Sequence, residues 1–510
     1  MTPVVEGVVE PESPGPAAPR ERVGQSLAWL TIANLAQKAS SVVLAVLLRA
    51  ILGPTKTGVW NLVEVWRQQL STLTLGPSWA AAREMPMLRA QGRHDDVDEI
   101  RNVTFTYLAG EAAALGIAFW AYLAIDHGGW STPELLGLAL VPLLATFTTL
   151  YSAYEQFLKT EKEFRFWGKF SLTQLLIDWS IIVFVLLGGL TGLLLGLLIG
   201  WTLRLGSVWW LVRARGVFQL RLKLRLSRLK ELLSFGAPLA FWNIGWSMIA
   251  RLDSIAIASL LGPTALGLYY LGPQIALTLS ALPAALSVVS YPALMERYGR
   301  EGAAALAPHM KDYMRSMSLI AAPATVAIGF FGLPVLVNSF LPAFDDGLPA
   351  MKIAMLVLVF SQPAMLFVQL MLAEKLVLRV IVVTFAALAV ECAVLGAGIA
   401  AGLTIEWAAW GAVAGQAGFS LIALGATIRQ LRLSREAILS FWGRLPVAWI
   451  GFLGLALGVD ALIPDPQSFA TGVLSGTAQI AAFCGLSALL VVALDRHAFS
   501  ASRALLRVHV

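Results

Sequence analysis

The sequence predicts an all-α polytopic membrane protein of about fourteen transmembrane helices, arranged as two parallel, pseudo-symmetric six-helix lobes followed by two further helices. Three observations predict it. Apolar residues make up 58% of the 510 positions and charged residues 13%, against roughly a quarter charged in soluble domains, and the mean hydropathy is +0.74. So few charges cannot clothe a soluble protein of this size. The lysines and arginines gather in alternate loops. Finally, the phrase LGPT occurs at Leu52–Thr55 and again at Leu261–Thr264, 209 residues on, each time between two long apolar stretches.

Windows of about 20 apolar residues, enough to cross roughly 30 Å of hydrocarbon, give the elements in order. They fall near 26–51, 57–82, 103–125, 134–157, 170–188, 191–212, 232–261, 265–293, 314–341, 350–373, 376–400, 406–429, 443–463 and 471–494. Runs this long and continuous are helices, not the alternating ten-residue strands of a barrel. The implied organisation is a disordered cytoplasmic tail at 1–24, an N-lobe at 25–212, a basic linker at 213–231, a C-lobe at 232–430, two extra helices at 431–494 and a tail at 495–510. The first segment is rich in Pro and Glu and lacks the basic and apolar regions of a cleaved signal.

Charge placement tests this count independently. The loops at Arg83–Arg101, Lys159–Lys169, Arg204–Lys230, Arg297–Arg315, Lys375–Arg379 and Arg429–Arg444, with the two tails, hold 31 of the 37 lysines and arginines. The opposite turns, near Asp126, Gly189, Asp345, Gly402 and Asp465, are short and neutral or acidic. The positive-inside rule then puts both termini and every basic loop in the cytoplasm of a multi-pass membrane protein. Topology explains the net charge of +6, so no nucleic-acid partner is implied. Cys392 and Cys484 lie in apolar runs and suggest no disulfide, and the five histidines lie in loops or tails and suggest no metal site or cofactor. GAGIAAG at 396–402 lies in an apolar span with no strand, which excludes a nucleotide loop, and no Walker motif exists.

With the 209-residue offset, Asn34 falls on Asn243, Trp60 on Tyr269 and Ser71 on Ser280; the second helices exit through LRAQGR (Leu88–Arg93) and MERYGR (Met295–Arg300). An even number of helices separates the copies, so they share an orientation about an axis along the membrane normal. Gly53, Pro54, Gly262 and Pro263 are structural turns, since Pro cannot continue a helix and Gly tolerates the reversal. Glycines at 188, 192, 196 and 200, with Gly411 and Gly415, suggest close helix packing.

The charges inside the spans carry the chemistry, because a charge at mid-bilayer is costly unless it meets water or a partner. Lys38 lies about 20 Å, and Arg67 and Arg251 about 15 Å, from their nearest outer turns at 1.5 Å per residue. All three are candidate cations of a central anion-binding cavity. Glu64 stands three residues from Arg67 and can neutralise it; Arg251 and Asp253 point to different faces. Internal salt bridges are the competing reading. Glu64, Asp253, Asp178 and Glu391 are candidates for pairing with the cations or for coupling to protons or sodium; Glu111 is a further buried acid, and Glu155 pairs with Lys159. The linker QLRLKLRLSRLK at 219–230 alternates leucines with cations, a strand period that also makes an interfacial amphiphile for anionic headgroups.

Two six-helix lobes, a Gly-Pro turn followed by Gly and an aromatic (Gly58 and Trp60, Gly267 and Tyr269), an exit ending in Gly-Arg and two extra helices resemble the oligosaccharide flippase branch of the multidrug/oligosaccharidyl-lipid/polysaccharide (MOP) exporter superfamily. The resemblance implies movement of an undecaprenyl-pyrophosphate-linked glycan from the cytoplasmic to the outer leaflet by alternating access. It also implies a lipid-linked anionic glycan and membrane lipids as partners, with polysaccharide polymerase or glycosyltransferase machinery nearby, for a monomer without enzymatic activity. In the related peptidoglycan-precursor flippases, cavity arginines meet the substrate diphosphate; by position Lys38, Arg67 and Arg251 could serve alike. The alternatives are a cation-coupled multidrug antiporter, which needs acids converging on the cavity, and a membrane glycosyltransferase or polymerase, which needs a sizeable outer loop.

Overall fold

Why the apolar windows become helices, and where those helices break, follows largely from glycine and proline. The computed structural model describes residues 20–125, 129–280, 307–374, 376–463 and 469–498. Most of the expected N-terminal tail, the turns at Asp126 and Asp465, the exit at 295–300 and the end of the C-terminal tail lie outside the described residues.

The first helix, α1 (Arg20–Thr72), is two spans folded back at Gly53, whose φ of 72° belongs to the left-handed region open to glycine, with Pro54 starting the return arm. A loop at 73–76 breaks the second arm, and α2 (Pro77–Ala90) completes it. Then follow α3 (His94–Ile125), α4 (Thr132–Thr160) and α5 (Phe164–Ala214). Helix α5 holds the two expected spans 170–188 and 191–212, hinged at Gly189 with φ 55° and ψ −129°. A Cβ at Gly192 would lie 1.8 Å from the Phe184 carbonyl oxygen, and one at Gly196 would press on the Phe184 side chain, so these glycines let the arms close. Gly188 faces open space and takes no part in this packing.

The second lobe opens with α6 (Leu226–Ile249) and α7 (Leu252–Leu260), separated at Ala250 and Arg251, where one continuous span was expected. After Gly262 come α8 (Pro263–Tyr269) and α9 (271–280). The rest is α10 (Ala307–Ser316), joined by a π-turn to α11 (Ala322–Phe340), then α12 (Leu348–Met355), α13 (Val357–Ala373), α14 (Val377–Ala400) and α15 (Ile405–Gln430). Short α16 (Arg435–Ser440) leads to α17 (Leu445–Leu462) and α18 (Phe469–Leu494). Among the described residues there is no strand, and ten helices are long and apolar enough to cross a membrane.

The last two helices pack on the second lobe. Lys352 of α12 pairs with Asp460 of α17, and Arg315 of α10 meets Asp495, just past α18, at 2.6 Å. The inter-lobe linker has no regular secondary structure over 218–225, where it docks on α3, and residues 226–230 of its alternating run belong to α6 instead. Its amides at Arg221 and Lys223 donate to Asn102 Oδ1 and Thr106 Oγ1 at 2.8 Å. Lys223 and Arg225 bind Glu99 while Leu222, Leu224 and Leu226 are exposed.

Candidate substrate site between the lobes

The lobes touch on both sides of a polar layer. On one side the two LGPT turns meet. Thr55 Oγ1 and Thr264 Oγ1, equivalent in the repeat, lie 3.2 Å apart. A Cβ on Gly58 would fall 1.7 Å from the Pro263 carbonyl oxygen, and one on Gly267 2.0 Å from that of Pro54. This reciprocity puts the pseudo-two-fold axis between them. The glycines of the repeat therefore divide their roles: Gly53 and Gly262 supply a positive φ in open space, while Gly58 and Gly267 let α1 and α8 meet backbone to backbone. On the side of the basic loops, Gly76 and Gly236 form a second clasp, with a Cβ on Gly236 falling 2.1 Å from the Gly76 carbonyl oxygen.

Between these clasps, the interface is polar. Arg67 Nε donates to Glu64 Oε2 at 2.9 Å and Nη1 to Thr148 Oγ1 at 2.6 Å, with the guanidinium 5.1 Å from the Trp201 ring centroid. Gln68 donates to Glu64 and accepts from the other lobe, its Oε1 lying 2.9 Å from Arg251 Nε and 2.5 Å from Arg251 Nη2. Arg251 also donates to Ser247 Oγ at 2.9 Å, and Ser247 to Gln69 Oε1 at 2.8 Å. Arg251 can reach across because the helix breaks there. Its φ of −147° is not helical, and the break separates it from Asp253, which instead accepts from the Tyr269 hydroxyl and the Ser254 amide.

The structure thus brings Arg67 and Arg251 together, with Glu64 between them. Tyr270 lies within electrostatic range of Glu64, Arg67, Arg251 and a further cation, Arg49. Arg204 lies within the same range of Arg67 and Glu64, and Asp253 of Arg251, so four guanidiniums face Glu64, Asp253 and the Asp178 that pairs with Arg204, an excess of one positive charge among the described residues. Lys38 stands apart, exposed on α1. It is eleven residues from Arg49, three helical turns and roughly 16 Å, so the two share one face of α1.

Sequence reasoning overlooked Arg49, although its eleven-residue spacing from Lys38 was a usable signal. It also assigned Arg204 to the basic loops. The structure pairs Arg204 with Asp178 inside α5 and sets it 5.1 Å from the Trp201 centroid, because its helix arm begins only at Gly189 and Arg204 lies about 22 Å along it. Asp178 is therefore occupied by an ion pair of the first lobe. Glu391 is fully buried in α14 beside the backbone and carboxylate of Asp253, and among the described residues no side chain donates a hydrogen bond to it. Gly415 of α15 makes room for it, since a Cβ there would fall 2.6 Å from Glu391 Oε2. The four acids do not converge: Glu64 belongs to the central layer, Asp178 to the first lobe, and Asp253 and Glu391 to the interior of the second. Glu111 accepts the Leu75 amide at 2.8 Å in the α1–α2 break, and Glu155 holds Lys159 at 2.7 Å.

The fold has counterparts among solved structures. The chain is similar to the lipid II flippase MurJ in an inward closed conformation, with TM-score 0.61 and 13% identity over 90% of this chain and 98% of that one. It is similar to an inward-facing multidrug resistance MATE family transporter of the MOP superfamily, with TM-score 0.60 and 14% identity over 80% and 98%. A Vibrio cholerae MATE transporter mutant gives TM-score 0.51 and 14% identity over 82% and 99%. No curated protein matches the chain significantly. The chain therefore shares the fold of these proteins. Within the chain, residues 91–341 match the family described as polysaccharide biosynthesis protein.

Proposed function

We propose that the protein is a flippase that carries an undecaprenyl-pyrophosphate-linked oligosaccharide from the cytoplasmic to the outer leaflet of the bacterial inner membrane, for surface polysaccharide synthesis. The observation that supports this most is the joining of Arg67 and Arg251, one from each lobe, in a layer whose cations outnumber its carboxylates. A diphosphate suits paired guanidiniums in a low-dielectric cleft, where each fork can make charge-assisted bidentate bonds. Gln68, now holding Arg251, and Glu64, now holding Arg67, keep these groups satisfied until the substrate displaces them.

In this reading the LGPT side faces outward and the basic loops inward, with both termini cytoplasmic. Lys38, on the Arg49 face of α1 and nearer the basic side, meets the headgroup first. Rocking of one lobe against the other opens the Gly58–Gly267 clasp as the Gly76–Gly236 clasp closes, and the reverse, with the glycan in the cleft and the lipid tail outside it. Buried Glu391 with Asp253 is the coupling site for a proton or monovalent cation. The antiporter alternative would place acids in the central cleft with the cations turned away; here Arg67 and Arg251 join across the lobes through Glu64 and Gln68 while Asp253 is held by Tyr269 and Ser254, which favours an anionic substrate.

The test is leaflet exchange of a fluorescent lipid-pyrophosphate oligosaccharide in proteoliposomes, for the wild type and for Lys38→Ala, Arg67→Ala and Arg251→Ala. Loss of exchange in folded Arg67 and Arg251 variants is expected. Normal exchange in all three would sink the cationic-cleft reading.

A further inference from the structure

The cation that the sequence did not single out is the least accommodated one. Arg49 is completely buried, and its Nη2 spans the lobes to Gln274 Oε1 of α9 at 3.0 Å, with Asn61 Oδ1 at 3.5 Å. Nη1 donates to the Ala45 carbonyl at 3.1 Å, and the guanidinium lies 5.3 Å from the Trp60 ring centroid. Among the described residues its Nε has no hydrogen-bond partner, nor has the Asn61 amide nitrogen. Among the described residues no carboxylate lies within ion-pair distance of Arg49. A buried guanidinium held only by neutral dipoles is costly. The repeat gives no structural reason for it, since the equivalent position in the second lobe is Ala258.

Its location supplies one. Arg49 is only four residues from Gly53, on the LGPT side of the Arg67–Arg251 pair, and Tyr270 lies within range of all three. Its cross-lobe partner among the described residues, Gln274, belongs to the lobe that must move away when the LGPT clasp opens. We propose that Arg49 is a release-side diphosphate site. While the clasp is closed, Gln274 and Asn61 occupy its donors. When the lobes part there, Gln274 leaves, and the guanidinium becomes a free fork for the diphosphate moving outward from Arg67 and Arg251. The proposal rests on the flippase reading and adds to it a second anion position, available only with the clasp open.

The experiment sets the clasp by design. A Thr55→Cys/Thr264→Cys pair, oxidised, staples it shut, the native hydroxyls being 3.2 Å apart. Gly58→Leu wedges it open, since even a Cβ there meets Pro263; the same cysteine pair must then fail to crosslink. Binding of geranylgeranyl diphosphate to purified protein in nanodiscs is measured in both forms, with Arg49→Gln and Arg67→Gln in each. Arg49→Gln should weaken binding by about tenfold, the loss of one charge-assisted contact, in the wedged form and leave the stapled form within twofold. Arg67→Gln should weaken the stapled form. Equal weakening of both forms by Arg49→Gln, or of neither, overturns the proposal. No effect of Arg67→Gln in the stapled form overturns the flippase reading instead. If Arg49→Gln does not fold, Arg49→Lys takes its place, and its weakening must again be confined to the wedged form.

Discussion

Gly58→Ala is the mildest change that acts on the axis itself. The new Cβ would start 1.7 Å from the Pro263 carbonyl oxygen, and that neighbour is backbone that no side-chain rotation can move. An ordinary carbon–oxygen contact needs roughly 1.5 Å more, which only displacement of α8 against α1 can provide. Overpacking of this kind costs about 1 to 3 kcal/mol. The cost falls only on the state in which the clasp is closed, so it shifts the equilibrium between closed and open clasps by about fivefold to 150-fold toward open. The assay is the rate of disulfide formation by the Thr55→Cys/Thr264→Cys pair in membranes. Gly58→Ala, and Gly267→Ala by symmetry, should slow it by at least fivefold, while Gly53→Ala, with open space around its Cβ, should distort the turn through its φ of 72° and lower overall stability. Undiminished crosslinking in Gly58→Ala would refute the assignment of the axis to this contact.

Gly189→Ala should destabilise the first lobe by about 1 to 3 kcal/mol, because φ 55° with ψ −129° is a conformation essentially reserved to glycine; thermal unfolding in detergent measures it. Asp460→Leu alone removes the carboxylate that pairs with Lys352 and should lower the melting temperature, whereas Lys352→Met with Asp460→Leu should recover most of the loss, since an apolar pair replaces an ion pair at little cost. Glu391→Gln should abolish the dependence of transport on a proton or cation gradient while leaving lipid-diphosphate affinity within twofold, as binding isotherms and gradient-dependent flux would show.

The fold was legible because the bilayer forces it to be. Apolar length, loop charge and the LGPT repeat each report membrane geometry, and they agree on two parallel lobes with two added helices. The hinge at Gly189 was readable from a single short neutral turn. The site was legible only in part. Depth counted from the turns put Arg67 and Arg251 at one level, and the structure brings them together through Glu64 and Gln68, because both sit on arms that are helical up to them. The same counting cannot tell that α6 ends at Ile249, which frees Arg251 from helical facing and lets it reach Gln68. Arg204 was misplaced because it adjoins a basic loop in sequence, and only its partner Asp178, one arm away, shows that it lies in the span. Gly58 and Gly267 were seen as part of the repeat; that each is there to receive the other lobe's proline carbonyl is a tertiary fact, invisible until the axis is known.

The central claim is that the cations between the lobes hold a diphosphate. It is tested most directly by competing two substrates that share a glycan and a lipid tail but differ in the link, one a pyrophosphate and the other an uncharged glycoside, in the same proteoliposomes. The account predicts strong preference of the wild type for the pyrophosphate and loss of that preference, by tenfold or more, in Arg67→Gln with Arg251→Gln. Equal transport of both substrates by the wild type, or a preference that survives the double substitution, would contradict it.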